Sequence, residues 1–330
     1  MKEEILSVFF IRKKEFRNVT ESFLCFVTNG VIDFPEEFDF CLFFNFEGER
    51  FLIITNRKNI FYNIGEDFFT FRYLSSKKII EKTKYKACVI YSFYERKKTL
   101  NYFLSNFFIE DIDYIFVSSG ISLDEILERR DYFQIIERQN IGCDFGNYLS
   151  GLSKMRKDYD YLILMNDSTI GPFIQEDLHD TNNWVNYFIE NLISDESRII
   201  GPTINCNHYY NFLSPHVQGY FLLLSFDSYK LLKKNTDLFD KIRKNKIDVI
   251  LEQEIGISKF FLEKGDKITS LLPEFRKIDL KNIPSEIAGD PLWFHSQKIS
   301  RKISPFEVIF TKYEKKFDNI DHRCISFFLS

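Results

Sequence analysis

The sequence predicts an α/β fold, in which a mostly parallel sheet is flanked by helices and preceded by a β-rich N-terminal segment. Two patterns indicate this class. Between residues 84 and 275, short apolar runs alternate with segments whose apolar residues recur at helical spacing, as in the crossover units of parallel sheets. Before residue 80, aromatic and β-branched runs are separated by turn dipeptides such as Asn29-Gly30, which is typical of strands joined by short turns.

The elements follow from these patterns in chain order. The first segment contains predicted strands at 6–11, 23–28, 38–46 and 51–55. Further strands are predicted at 87–93, 114–118, 133–137, 161–165, 198–201 and 219–225. Helices are predicted at 97–108, 123–130, 145–155, 184–193, 228–233 and 249–263. The chain therefore divides into a β-rich segment or subdomain at 1–82, a sheet domain at 83–283, and a C-terminal tail at 284–330 that packs on the sheet domain.

The composition excludes several classes of protein. Hydrophobic residues make up 45% of the 330 residues and charged residues 28%, which is ordinary for a globular protein. A net charge of −4 provides no basic field that would attract nucleic acid. The N-terminus lacks a basic region followed by an apolar core, and no run approaches the ~20 apolar residues of a spanning helix. We therefore expect no nucleic-acid partner, no signal peptide and no transmembrane segment.

Six cysteines are scattered along the chain without a close pair. This spacing excludes a CxxC metal knuckle and gives no disulfide framework. Cysteines of this kind fit a reducing compartment, and we expect a cytoplasmic protein.

A loop with two glycines lies between a predicted strand and a predicted helix. It contains Asn140, Gly142, Asp144 and Gly146. Glycine permits positive φ and close approach of a ligand to the backbone, and the helix N-terminus offers free N–H groups suited to a phosphate. The dinucleotide pattern GxGxxG is absent. A plain strand-to-helix turn with Asp144 as the N-cap explains the same residues.

Polar residues follow the apolar strand at 161–165 directly. Asp167 comes where ligands bind in open α/β sheets, at the carboxyl end of a strand. A divalent cation on a diphosphate needs only one or two protein carboxylates, and Asn166 and Ser168 could add oxygen ligands. The same residues could also simply begin a turn. A site for pyrophosphate requires that the Asp167 carboxylate faces an open crevice.

A pair of acids and two histidines are further candidates. Glu252 and Glu254 face different ways on a helix, so that one can be solvated while the other lies in a cleft and acts as a general base. An exposed acidic helix face is the alternative. His216 and His295 do not cluster with the other histidines, and His295 beside Trp293 is a candidate metal or phosphate ligand.

The order of these segments resembles a GT-A glycosyltransferase, and more closely the rhamnan-synthesis-F-like group of polysaccharide-building enzymes. The resemblance covers about residues 84–275. The segments that carry it are 140–146, 159–161, 166–172, 217–221 and 254–258.

The resemblance implies a GT-A-like, Rossmann-like sheet, a nucleotide-sugar donor, and a glycan or lipid-linked glycan acceptor. It implies that Glu254 is the catalytic base of an inverting transfer and that Asp167 holds Mn²⁺ or Mg²⁺ at the diphosphate. Because Asn166 replaces one acid of the usual DxD motif, metal affinity is expected to be weaker, or the ion dispensable. The implied donor-binding residues are Tyr91, Ser92, Ser118, Asn140, Gly142, Asp144, Asn166, Asp167, Gln218 and Gly219.

Three functions remain open on the sequence. The first is a glycosyltransferase of surface polysaccharide or glycan synthesis, with peripheral contact to a membrane if the acceptor is lipid-linked. The second is a catalytically inactive GT-A-like module that binds a glycan or a nucleotide. The third, a nucleotidyltransferase, would carry a glycine-rich loop directly after the first strand, whereas residues 91–99 contain no glycine.

Overall fold

The structure, a computed structural model, describes residues 38–46, 49–56, 60–64, 67–71, 80, 82–106, 108–123, 133–174, 181–209, 212–213, 215–276, 280, 283, 289–293, 303–313 and 320. The predicted strands at 6–11 and 23–28, nearly all of the predicted helix at 123–130, and His295 lie outside the described residues. The chain forms two compact units, residues 1–79 and 80–330.

The described part of the first unit consists of two antiparallel hairpins. Strands β1 (Phe38–Phe46) and β2 (Glu49–Asn56) form one hairpin, and β3 (Ile60–Ile64) and β4 (Asp67–Phe71) form the other. The predicted strands at 38–46 and 51–55 are confirmed. The described residues of this segment therefore form strands, as its composition predicts.

The second unit contains a seven-stranded sheet that confirms the predicted α/β class. Its strands in chain order are β5 (Ala87–Phe93), β6 (Asp113–Ser118), β7 (Phe133–Glu137), β8 (Tyr161–Asn166), β10 (Ser197–Gly201), β15 (Phe221–Ser225) and β16 (Lys267–Ser270). The spatial order is β16-β10-β15-β8-β5-β6-β7, and β15 alone among the seven runs antiparallel to its neighbours. The sheet is thus mostly parallel, as the alternating sequence pattern predicts.

Six two-residue strands complete the described ladders. They are β9 (Thr169–Ile170), β11 (Ile204–Asn205), β12 (His208–Tyr209), β13 (Phe212–Leu213), β14 (His216–Val217) and β17 (Thr311–Lys312). Strands this short carry no periodic signal, so the sequence pattern did not predict them.

Helices cover both faces of the large sheet. The helices within the described residues are α1 (Lys97–Asn106), α2 (Cys143–Leu152), α3 (Trp184–Ser194), α4 (Phe226–Asn235), α5 (Lys246–Asp248), α6 (Ile255–Glu263) and α7 (Pro305–Val308), with a 3₁₀ turn at Pro273–Phe275. Side chains alternate between the faces of β5: Tyr91 packs on Phe103 of α1, whereas Ile90 faces Gly151 of α2. None of the helices in the described part of the chain combines the length and apolar character needed to cross a bilayer.

The predicted helix at 249–263 differs from the observed one in a single important respect. Residues Val249–Glu254 form a π-helix between α5 and α6. A π-helical turn changes the angular position of every residue after it, and such turns occur frequently at functional sites. The face on which Glu254 lies therefore cannot be read from an ideal helical repeat.

An aromatic cluster holds the C-terminal strand β17 beside β9. The fully buried ring of Phe310 stacks on Phe221 at 4.6 Å between centroids and meets Trp184 edge-on at 5.1 Å. Thr311 and Lys312 then pair with Ile170 and Thr169. Part of the predicted tail therefore packs on the sheet domain, and it reaches the loop that follows β8.

We expect Phe310→Ala to lower the free energy of unfolding by about 3–5 kcal/mol, because it removes a buried ring and leaves a cavity. Urea unfolding of the purified variant measures this. The control is Ile193→Ala, since the Ile193 side chain is 51% exposed and its loss should cost less than about 0.5 kcal/mol. Equal losses in the two variants would contradict the role of this cluster.

Candidate functional site

A pocket of about 530 Å³ lies at the carboxyl ends of β5, β6 and β8. From β5 the chain continues to β6 and β7 on one side of the sheet and to β8 on the other, so the pocket lies at the topological switch point where open α/β sheets bind ligands. Its lining residues are Tyr94, Glu95, Arg96, Ser119, Asn140, Cys143, Asp144, Phe145, Asn166, Asp167, Ser168, Gly219, Tyr220, Lys246, Val249, Ile250, Glu254 and Lys312.

Asp167 lines this pocket, but its carboxylate is already engaged. The side chain is 7% exposed, and Oδ2 accepts hydrogen bonds from three consecutive backbone amides, those of Tyr94 (2.8 Å), Glu95 (2.8 Å) and Arg96 (3.0 Å). These amides immediately precede α1, where a negative charge is favoured. All hydrogen bonds from the described residues to this carboxylate reach Oδ2, so Oδ1 is the oxygen that could still contact a ligand.

Asn166 is engaged on both sides of its amide group. Its Nδ2 donates to Oδ2 of Asp144 at 2.8 Å, and its Oδ1 accepts from the amide (3.1 Å) and hydroxyl (2.6 Å) of Ser168. The side-chain oxygens of Asn166 and Ser168, which the sequence suggests as cation ligands, are therefore hydrogen-bonded to each other. In this structure Asn166 orients Asp144.

Asp144 is held at the start of α2 by two donors. Besides Asn166, the Ser92 hydroxyl donates to Oδ1 at 2.8 Å, and Asn147 in turn donates to Ser92 at 2.9 Å. The alternative in which Asp144 caps α2 is wrong, because the N-cap is Gly142 in a left-handed conformation (φ 84°) without a side-chain cap. Asp144 instead presents a fixed carboxyl group to the pocket.

Burial raises the pKa of the Asp144 carboxyl above its ordinary value. Hydrogen bonds from Ser92 and Asn166 oppose this shift, while the charges of Asp167 and Glu254 add to it. The charges of two other acids that line the same pocket therefore act on Asp144. The hydroxyl of Tyr148 lies below them and donates to the Gly219 carbonyl at 3.1 Å.

Glu254 faces the pocket from the π-helical turn. Its Oε1 accepts the Gly219 amide at 2.6 Å, and among the described residues Oε2 receives no hydrogen bond. A Cβ at position 219 would lie 3.1 Å from the Glu254 carboxyl carbon, so glycine permits this close approach. Glu252 points elsewhere and pairs with Arg243 at 2.7 Å, with 54% of its side chain exposed. One acid lies in the cleft and the other on the surface, as the sequence suggested.

Three cationic side chains line the same pocket from separate elements: Arg96 before α1, Lys246 in α5 and Lys312 in β17. The ammonium of Lys312 lies 5.5 Å from the centroid of the Tyr220 ring, and Arg96 donates to the Tyr313 carbonyl at 3.2 Å. The pocket therefore combines a positive wall with the acids described above.

Several residues expected to bind a ligand do not line the pocket. Tyr91 is fully buried between Phe103 and Phe116, because odd-numbered residues at the end of β5 face α1. The Ser118 hydroxyl donates to the Ile121 carbonyl and is 2% exposed. Tyr91 and Ser118 are therefore wrong as contact residues.

Three further predicted residues act behind the pocket wall. Gln218 is buried and bonded to Thr203 and Asp290. Gly142 adopts positive φ as expected, but its close approach is to Ile242 and Arg243 rather than to a ligand. Ser92 reaches the site only through Asp144. The predicted residues that do line the pocket are Asn140, Asp144, Asn166, Asp167, Gly219 and Glu254.

The sequence reasoning missed Tyr94, Arg96, Lys246 and Lys312 as residues of the candidate site. Tyr94 follows β5 directly and is 45% exposed at the pocket. Its position at the carboxyl end of a predicted strand, the same signal that identified Ser92, could have identified it. Lys312 had no such signal, since it arrives through the pairing of two-residue strands.

The described residues do not form a metal site by themselves. Within them, no group of three or more His, Cys, Asp or Glu side chains is arranged to hold an ion. Asp167 offers one oxygen, Asn166 and Ser168 bond each other, and His295 lies outside the described ranges. The expected Mn²⁺ or Mg²⁺ ion stays a prediction.

Comparisons with known proteins give limited likenesses. No family model matches the chain. It is 26% identical over 260 residues to the virulence protein VirA of Vibrio anguillarum (strain ATCC 68554 / 775), covering 71% of this chain and 77% of that protein. A second Vibrio anguillarum sequence of the same name matches equally.

A solved structure from Desulfovibrio desulfuricans G20, provisionally named a nucleotide-diphospho-sugar transferase, is 12% identical. It has a TM-score of 0.34 and covers 56% of this chain and 78% of its own. At that score the likeness carries no weight for function. The resemblance to the rhamnan-synthesis-F-like group also stays a prediction.

The raised pKa of Asp144 predicts a pH effect on stability. The folded state retains a proton that the unfolded chain releases near pH 4, so stability falls as pH rises from there through the raised pKa and is level above it. Asp144→Asn removes this contribution. Its free energy of unfolding, relative to the unmodified protein, should therefore rise over that interval.

Urea unfolding at a series of pH values measures the difference. Asp290, whose pKa burial also raises, is present in both proteins and cancels. A difference that stays constant across the interval would contradict the raised pKa of Asp144.

Proposed function

We propose that this protein is a glycosyltransferase that moves a sugar from a nucleotide-sugar donor to a hydroxyl of a glycan acceptor. One observation carries the proposal: a single pocket at the switch point of the sheet places the Glu254 carboxylate together with three cationic side chains. Sugar transfer from a nucleoside diphosphate needs a base for the acceptor and positive charge for the leaving group.

The pocket is suited to a nucleotide sugar in size and chemistry. Its volume, about 530 Å³, lies within the ~300–1,000 Å³ range of ligand pockets. Tyr94, Ser119 and Asn140 offer an aromatic face and polar groups for the nucleoside. Arg96, Lys246 and Lys312 supply positive charge for the diphosphate. The sugar and the acceptor then occupy the part of the pocket beside Gly219 and Glu254.

The proposed transfer inverts the configuration of the sugar. An acceptor oxygen attacks the anomeric carbon and forms the new glycosidic bond while the bond from that carbon to the diphosphate oxygen breaks. Glu254 Oε2 takes the proton from the acceptor hydroxyl, and Oε1 stays on the Gly219 amide, which fixes the orientation of the carboxylate. The bonding electrons leave with the nucleoside diphosphate, whose developing charge lies against the cationic side chains.

A divalent cation is implied by the family resemblance, and the described residues do not fit a protein-built site for it. Asp167 Oδ1 could contribute one ligand to an ion otherwise held by phosphate oxygens and water.

The biological setting belongs to the same proposal. We infer a role in surface polysaccharide or glycan synthesis, in the cytoplasm, with a glycan or lipid-linked glycan as acceptor. The name of the Vibrio anguillarum relative, a virulence protein, agrees with a product exposed at a bacterial surface. A lipid-linked acceptor would require peripheral contact with a membrane.

A second function is favoured by the engaged Asn-Asp-Ser segment. Because Asn166 and Asp167 serve local hydrogen bonds, the pocket could bind a nucleotide or glycan without catalysing transfer. Binding of a donor without release of its sugar, either to water or to an acceptor, would identify such a module.

The experiment begins with thermal shifts against UDP-, GDP- and dTDP-sugars, since a ligand that binds the folded state raises the melting temperature. The selected donor is then used in transfer and slow-hydrolysis assays. We expect Glu254→Gln to lower kcat by about 10²–10⁴-fold, the usual contribution of a general base, while the Kd of the donor changes by less than about threefold.

The matched control is Glu252→Gln, two residues away on the same helical segment and outside the pocket. It should retain the turnover of the unmodified protein. Full activity of Glu254→Gln would reject its role as the base, and the absence of any donor shift would reject the donor site.

A further inference from the structure

The Asn-Asp-Ser segment is built into the fold by its own hydrogen bonds. Three amides share Oδ2 of Asp167, and this arrangement joins the end of β8 to the loop between β5 and α1. The Thr99 hydroxyl closes the same junction by donating to the Asp167 carbonyl at 2.6 Å. A cation bound to the other oxygen, Oδ1, would meet a carboxylate whose charge these amides already offset in part.

The positive charge in the pocket comes from elsewhere. Lys312 is placed by β17, whose residues pair with Thr169 and Ile170 just after the Asn-Asp-Ser segment. The next residue, Tyr313, donates its amide to the Ser168 carbonyl at 2.8 Å and accepts from Arg96 at 3.2 Å. Arg96 and Lys312 are thus brought to the same side of the pocket by one set of backbone contacts.

The setting of Lys312 favours an anionic ligand. Its ammonium lies over the Tyr220 ring at 5.5 Å, which supports the charge, and the ring is 2% exposed. Lysine and arginine are the usual partners of phosphate oxygens.

We propose that Arg96 and Lys312 bind the diphosphate of the donor directly, and that binding does not require a divalent cation. Lys246 also lines the pocket and adds a third positive charge. Asp167 is then a positioning residue, which holds the loop that carries Arg96. This inference rests on the proposed function and specifies how its donor is held.

The test uses calorimetric titration of inorganic pyrophosphate and of UDP, GDP and dTDP, each in EDTA and in Mn²⁺. We expect binding in EDTA with a Kd within about threefold of that in Mn²⁺. Lys312→Met should weaken binding at least tenfold, and Lys312→Arg should restore most of it. Rising salt should weaken binding to the unmodified protein more steeply than to Lys312→Met, because an ionic contact is screened.

The matched control is Lys264→Met, since Lys264 also lies over an aromatic ring, that of Phe260 at 5.3 Å, but outside the pocket. It should bind as the unmodified protein does. Melting temperatures confirm that each variant is folded, and Lys312→Arg separates a lost charge from a disturbed β17.

The outcomes are distinguishable. Binding that vanishes in EDTA, returns with Mn²⁺ and ignores Lys312→Met would overturn this inference and leave the proposed function standing. The absence of binding by every nucleoside diphosphate under both conditions would overturn both.

Discussion

The carboxylate of Asp167 makes the contact on which the pocket depends. By accepting three successive amides, it fixes the loop after β5 against the end of β8. Each hydrogen bond to a charged acceptor contributes about 1.5–3 kcal/mol in favourable cases, and together they set the entry to α1. This contact positions Tyr94, Arg96 and the first turn of α1. Because Tyr94 and Arg96 both line the pocket, its shape depends on the Asp167 carboxylate.

The other two acids of the pocket are also oriented by hydrogen bonds, but from different partners. Asp144 is oriented by Ser92 and Asn166, and Glu254 by the Gly219 amide. Such constraints limit the freedom of the carboxylates before any ligand arrives, which is the condition for preorganised catalysis. The C-terminal strand β17 then brings Lys312 to the same pocket. The Asp144 and Glu254 carboxyl groups and three cationic side chains thus reach one crevice from several parts of the chain.

Much of this arrangement follows from the sequence. The apolar run before Asp167 placed this residue correctly at a carboxyl end, and the order of strands and helices gave the sheet. Tyr91 was misplaced because β5 is buried on both faces, so composition does not reveal which residues face α1 and which face α2. Lys312 could not be assigned, since its position depends on a ladder of two residues and on the burial of Phe310, more than 140 residues after Asn166. The direction of Glu254 depends on a π-helical turn that no apolar repeat encodes.

A crystal structure of the protein with the nucleoside diphosphate that binds most tightly tests the donor site most directly. We predict the nucleoside beside Tyr94 and Ser119, and diphosphate oxygens within hydrogen-bond distance of Arg96 and Lys312. A nucleotide bound outside the crevice at the ends of β5, β6 and β8, with this pocket still empty, would contradict the assignment.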